Sequence, residues 1–207
     1  MSSKAIALSP GGKSAKNKVA DAILDLVIRV PATTEAARQQ PLARAQAIGR
    51  IASRKASLLA SSMALPPGFI GWLTVVPELV AVWKLQSQMV SDIAGVYGKS
   101  TQLSREQMVY CLFKHVSAQL VRDVVVRAGE RFLVRHASTV FLQSVVKNLG
   151  VKITQNMVGK GASRFVPLIG AIGVGAYAYF DTTQVARTAM ELFSNDIVIE
   201  AEAPDPA

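Results

Sequence analysis

Residues 56–77 read ASLLASSMALPPGFIGWLTVVP, an uncharged run of 22 residues between Lys55 and Glu78. The length matches the roughly 20 residues of a membrane-spanning helix, but Pro66-Pro67-Gly68 sits at its centre. Two prolines remove backbone donors, and the first restricts the residue before it, so no single helix passes this point. The run predicts two helical arms meeting at a turn, with Phe69, Ile70 and Trp72 beside it. Such a shape fits a buried helix pair, or an apolar wedge dipping into one leaflet. An indole such as Trp72 suits the lipid–water interface, where one end is apolar and the other wet.

On the N-terminal side, Pro41 suits the first turn of an alanine-rich helix over 42–63. Its bases Arg44, Arg50, Arg54 and Lys55 leave an apolar side that includes Ile48, Ile51, Leu58 and Leu59. Val19, Ile23, Leu26, Val27 and Val30 mark an earlier amphipathic helix stopping at Pro31. Residues 1–16, MSSKAIALSPGGKSAK, read as a flexible basic leader. On the other side, Leu79, Val82, Trp83, Val90, Ile93 and Tyr97 form one helical stripe from Pro77, interrupted by Gln86 and ended by Gly98.

Ser104-Arg105-Glu106-Gln107 matches the capping box and predicts a helix over 104–135. A fifth helix begins near Ser138 and weakens at Gly150, with Gly159-Lys160-Gly161 beyond, and a sixth covers 167–193. Ile197-Val198-Ile199 is compatible with a short strand, but the acidic sequence after it favours a mobile tail over 195–207. The expected fold is all-α: a single multi-helix bundle of about six helices over 17–194, with a central glycine-rich apolar helix.

That last helix opens with VPLIGAIGVGAYAYF, residues 166–180. As a helix these 15 residues extend roughly 22 Å, short of a hydrocarbon core of about 30 Å. Gly170, Gly173 and Gly175 are assigned to helix packing, since losing side-chain bulk permits close approach. A buried central helix is favoured over stable spanning, with reversible insertion left open.

Composition bounds the function. Half of the 207 residues are hydrophobic and 18% are charged, against about 25% in ordinary domains, and the mean hydropathy is +0.30. The formal charge is +9, with ten bases against three acids in residues 1–60 and four acids without a base in 195–207. A basic body points to anionic partners. Lys13, Lys16, Lys18, Arg50, Arg54 and Lys55 are the expected lipid-headgroup contacts, at roughly 1 kcal/mol per well-placed base. Arg127, Arg131 and Arg135 would share one helical face, where Asp123 and Glu130 are close enough to pair with them. The lone Cys111 leaves no disulfide framework, and no apolar signal core follows the early lysines. The expected location is the cytoplasm, peripheral to or reversibly inserted at the inner membrane.

Two stretches resemble the EcsC family of membrane-associated bacterial proteins. The first is Leu65-Pro66-Pro67-Gly68, then Trp83-Lys84-Leu85-Gln86 and Ser91-Asp92-Ile93-Ala94-Gly95-Val96-Tyr97-Gly98; the second is Val166-Pro167-Leu168-Ile169-Gly170-Ala171-Ile172-Gly173-Val174-Gly175-Ala176, then Val185-Ala186 and Phe193. The resemblance implies a helical fold and membrane association, and it implies no reaction. A similar pair of features occurs in the membrane-linked domain of some bacterial GTPases, but this chain has no GxxxxGK[ST] phosphate loop. It also carries Tyr177-Ala178-Tyr179 where the resemblance leads one to expect an asparagine.

Catalytic motifs are sparse. Cys111 and His115 share a helical face as a thiolate–imidazole pair would, but no third partner is evident, and a cysteine among Val109, Tyr110, Leu112 and Phe113 reads as core. His136 lacks metal-ligand spacing. Asp92 and Asp181, each near an apolar run, demand partners if buried. The expectation is therefore a protein without catalytic residues, metal or cofactor: a peripheral membrane protein, of the adaptor kind, with a protein partner at the membrane. It would contact anionic lipid through Pro66, Pro67, Phe69, Ile70, Trp72 and the flanking bases. A membrane-inserting permeabilising effector using the glycine-spaced helix is the alternative, and a nonspecific nucleic-acid binder a lesser one, as no recognition helix or aromatic–basic platform supports specific binding.

Overall fold

The computed structural model describes residues 29–63, 71–116, 118–121, 125–128, 131–134, 141, 143–145, 147–148 and 167–199. Pro41 opens the first long helix, α1 (Pro41–Met63), where its missing N–H leaves nothing unsatisfied. The face that α1 buries is a seam of small residues, Ala45, Ala52, Ala56 and Ala60, with Ile48 among them. This is not the apolar side expected from residue size: Ile51 and Leu58 face outward, 49% and 72% exposed. Interhelical distance is set by the side chains at the contact, so a close packing selects alanine and turns the bulkier residues out.

The second helix, α2 (Gly71–Val96), packs on α1. It starts before Pro77, which lies in its second turn and deprives only the Leu73 carbonyl of its helical donor. Val82, Trp83, Gln86, Met89, Val90, Ile93 and Ala94 are buried along it. Gly98 ends the turn with φ 71°, and the N–H groups of Gly98 and Lys99 satisfy the carbonyls of Gly95 and Ala94 at 2.9 and 2.8 Å.

Residues 29–40 are non-helical, so the helix expected up to Val30 does not include Arg29 or Val30; its remainder and the leader lie outside the described residues. This arm docks on α2. Thr33 Oγ1 donates to Asp92 Oδ1 (2.8 Å), Gln88 Nε2 donates to the Ala32 carbonyl (2.9 Å), and the Arg38 N–H donates to the Val96 carbonyl (3.0 Å). Asp92, one of the two acids suspected of needing a partner, is thereby satisfied.

The arm also ties to α1, where Arg44 donates from Nε and Nη2 to the two Glu35 carboxylate oxygens. These hydrogen bonds hold the Glu35 carboxyl below its ordinary value against the opposing effect of burial. A depressed folded-state pKa means that the pair stabilises above the unfolded value near 4.5 and that the contribution disappears as pH falls through the folded value. Melting temperatures of Glu35→Gln and wild type should differ slightly at neutral pH and converge in acid. A gap unchanged at low pH would refute this origin.

Helix α3 (Arg105–Phe113) begins with the expected capping box: Gln107 N–H donates to Ser104 Oγ (3.3 Å) and Ser104 N–H donates to Gln107 Oε1 (2.9 Å). Every residue from Glu106 to Phe113 is buried, and a helix buried all round has no stripe that reveals its length. It stops at Phe113 rather than continuing to 135. A turn through Val116, the short α4 (Ala118–Val121), and strands β1 (Val125–Ala128) and β2 (Arg131–Val134) follow.

Strands β1 and β2 are antiparallel, and β2 pairs in parallel with β3 (Asp196–Ile199), giving the order β1-β2-β3. The described residues are thus mostly helical, as expected, but they include a small mixed sheet that an all-α bundle does not contain. The arginine stripe is dissolved by it: Arg127 and Arg131 lie on separate strands, and Arg135 falls outside the described residues. Arg127 instead pairs with Glu191 (2.6 Å) and covers the Phe132 ring at 5.9 Å.

Residues 141, 143–145 and 147–148 are helical where a fifth helix is expected, with Val145 buried; 149–166 lie outside the described residues. The last helix, α5 (Pro167–Ser194), packs on α1, α2 and α3 and leads into β3. Residues 196–199 are therefore sheet rather than mobile tail, and 200–207 are outside the described residues. No helix among the described residues is long and apolar enough to cross a membrane.

Candidate functional site

The polar groups buried between the helices serve first to join them. Gln86 Nε2 on α2 donates to Asp181 Oδ2 (2.7 Å) and to Thr182 Oγ1 (3.0 Å) on α5. His115, just beyond α3, places Nε2 2.6 Å from Asp181 Oδ1. A carboxylate only accepts, so that ring nitrogen carries the hydrogen. Helix α2 and the turn after α3 thus meet α5 at Asp181, the second acid singled out above.

Cys111 does not join His115. Its thiol is fully buried among core residues, and burial pushes its pKa far up, well beyond the small opposing effect of Lys114. The thiolate is the reactive form, so Cys111 in the native protein should resist a water-soluble disulfide reagent at neutral pH and react fully once denatured. Rapid labelling of the folded protein would contradict this placement. Among the described residues no three His, Cys, Asp or Glu side chains gather as a metal site, and His136 lies outside them.

The outer surface of α1 and α5 is more distinctive. The two helices are antiparallel, with Gly49 against Ala186, Ser53 against Thr183, and Ser57 and Ser61 against Gly175. A Cβ on Gly175 would lie 3.1 Å from the Ser57 carbonyl oxygen and on top of the Ser61 hydroxyl. Gly175 is therefore the contact point between the helices. Gly173 instead has open space around it, and Gly170 lies in the first turn of α5.

Where the C-terminal end of α1 meets the first half of α5, Leu58, Val174, Tyr177 and Phe180 are 72%, 39%, 65% and 67% exposed. Their neighbours on α1, one and two turns back, are the exposed cations Arg54, Lys55 and Arg50. Leu42 and Ile51, 54% and 49% exposed, lie among and before these cations, so apolar and basic side chains alternate along the outside of α1. Monomeric soluble proteins seldom expose contiguous large apolar patches without a binding role.

A model of the EcsC protein family matches residues 9–195. The chain belongs to the EcsC protein family. No curated protein and no solved structure matches it. In this EcsC protein, Trp72 occupies the first turn of α2, while Pro66, Pro67, Phe69 and Ile70 fall in 64–70, the connection between α1 and α2 outside the described residues. Lys13, Lys16 and Lys18 also fall outside them. Arg50, Arg54 and Lys55 are all exposed on α1.

The EcsC chain adds surface residues that the reading of its sequence did not single out: Leu58 as an outward residue, and Val174, Tyr177, Phe180 and Arg187 on α5. The start of α5 is apolar on every side, so periodicity could not say which side faces out. Only the later positions Gln184 and Arg187, in helical register with Tyr177 and Phe180, hinted at the exposed face.

Proposed function

We propose that this EcsC-family chain is a non-enzymatic peripheral membrane protein of the cytoplasmic face, an adaptor that docks on anionic lipid with the apolar end of the α1–α5 pair. The observation that carries the reading is the exposure of Leu58 late in α1 and of Val174, Tyr177 and Phe180 in the first half of the α5 helix that packs against it, together with the exposed Arg50, Arg54 and Lys55. Residues 64–70, which bring Pro66, Pro67, Phe69 and Ile70, continue directly from that end of α1. Burying a large apolar side chain contributes about 1.5–3 kcal/mol, and each base near an anionic surface about 1 kcal/mol. Apolar side chains anchor to the boundary region while the cations meet headgroups, as amphipathic surfaces do at interfaces.

Vesicle flotation tests this. Binding should rise with the fraction of phosphatidylglycerol, and Leu58→Ser/Phe180→Ser should weaken it by at least about 10-fold, as the loss of two apolar anchors implies. Phe69→Ser/Trp72→Ser should act in the same direction. Binding that ignored anionic lipid and survived both double substitutions would end the reading. Dye release from the same vesicles would favour the permeabilising alternative over an adaptor.

A further inference from the structure

The close packing of α1 on α5 leaves a groove of about 250 Å³ along their outer side. Its floor is apolar, made by Gly49, Ala186 and Met190 with Tyr179. Gly49 matters to its depth: a Cβ there would come within 3.0 Å of the Ala186 Cβ, so a larger residue would part the helices or fill the floor. Each wall carries one guanidinium, Arg50 from α1 and Arg187 from α5, and no acidic residue is among the described residues that line the groove.

Some cations elsewhere on the molecule are paired with carboxylates. Arg44 pairs with Glu35, and Lys114 and Arg127 both pair with Glu191. Among the described residues, Arg50 and Arg187 have no such carboxylate. The aliphatic hydroxyls at the groove, those of Ser53 and Thr183, are engaged with each other. Thr183 Oγ1 donates to the Tyr179 carbonyl (2.8 Å), so Ser53 Oγ is the donor across its 3.0 Å contact with Thr183. The charged donors that line the groove are the two guanidiniums, whose planar forks match phosphate oxygens bidentately, with the Gln46 amide and the Tyr179 hydroxyl beside them. Two like charges flanking an apolar floor repel unless an anion lies between them.

We infer that this groove binds the phosphate ester of one anionic lipid, its phosphate between Arg50 and Arg187 and the adjoining apolar portion against Ala186 and Met190. The volume admits a headgroup and the start of a chain rather than a whole lipid, being below the usual range for drug-sized ligands. The inference deepens the membrane reading and rests on it for the source of the ligand, but it concerns a discrete site rather than a charged surface.

Its test uses the full chain and dihexanoyl phosphatidic acid below its micelle concentration, followed by titration calorimetry. One saturable site is expected, weakened at least about 10-fold in Arg50→Gln/Arg187→Gln and little changed in the charge-matched Lys84→Gln/Arg105→Gln, whose residues do not line the groove. All four are exposed, and unchanged circular dichroism would verify the fold. Inorganic phosphate should bind at least about 10-fold more weakly than the lipid, because it cannot use the apolar floor. Equal losses in the two double variants, equal affinity for inorganic phosphate, or no saturable site would each overturn the proposal. Leu58→Ser/Phe180→Ser separates the two readings: it should lose vesicles and keep the short-chain lipid. If wild type binds the short-chain lipid but not vesicles, the apolar docking surface is lost and the groove stands; vesicle binding without a saturable short-chain site means the opposite.

Discussion

Phe132→Ala should lower stability by about 3–5 kcal/mol, the usual range for removing a fully buried phenyl ring. For a chain of this size that corresponds to a fall in melting temperature on the order of 10 °C. Phe132 has no exposed surface. It stands in β2, the middle strand, opposite Arg127 of β1 and Ile197 of β3. Its ring meets Tyr110 of α3 edge-on, with centroids 6.1 Å apart, while the Arg127 guanidinium covers it from the solvent side. One side chain thus fastens the sheet to the buried helix, so its loss should also speed amide exchange in 125–134 and 196–199 ahead of the helices. A stable Phe132→Ala protein with unchanged exchange in those strands would show that the sheet is held by something else.

Gly95→Val should be comparably damaging, by overpacking rather than by a cavity. A Cβ at position 95 would lie 2.8 Å from Thr33 Cγ2 and 2.9 Å from the Glu35 carbonyl oxygen. The second contact is with backbone, which cannot rotate away as a hydroxyl can. Either α2 distorts or the arm over 29–40 lifts off, giving up the Thr33–Asp92, Gln88–Ala32 and Arg38–Val96 hydrogen bonds. Overpacking costs about 1–3 kcal/mol, and the released arm adds the loss of those bonds at about 1 kcal/mol each. Limited proteolysis should cut first within 29–40. Resistance there, with a wild-type melting temperature, would contradict the close approach. Gly95→Ala, with the same first contact but less bulk, should fall between the two.

The reading of the sequence succeeded where a signal is local. Pro41 marks the start of α1 because its chemistry permits only a few helical positions. Ser104 and Gln107 form the capping box because the two side chains need only each other's backbone. Gly98 takes a left-handed turn at 71°, open to it without the clash a Cβ brings. The end of α3 was not legible, because all eight residues from Glu106 to Phe113 are buried and no exposed stripe marks where the helix gives way to the strands. Val124-Val125-Val126 and the glycine-first pair Gly129-Glu130 were the available hairpin cues. The partner of β2, however, is 196–199, and nothing near either strand in the chain announces a pairing across more than sixty residues.

The sequence by itself therefore determined the starts of α1, α3 and α5, the surplus of positive charge and the membership that its family pattern carries. Tertiary structure decided which side of each apolar helix is hidden. Alanine, glycine and serine line the α1–α5 contact because two backbones approach closely there, and that closeness expels Leu58, Tyr177 and Phe180 to the surface and sets Arg50 opposite Arg187. Helical periodicity cannot supply such an outcome when a segment is apolar on all sides, since burial then depends on the size of what faces it and not on hydrophobicity.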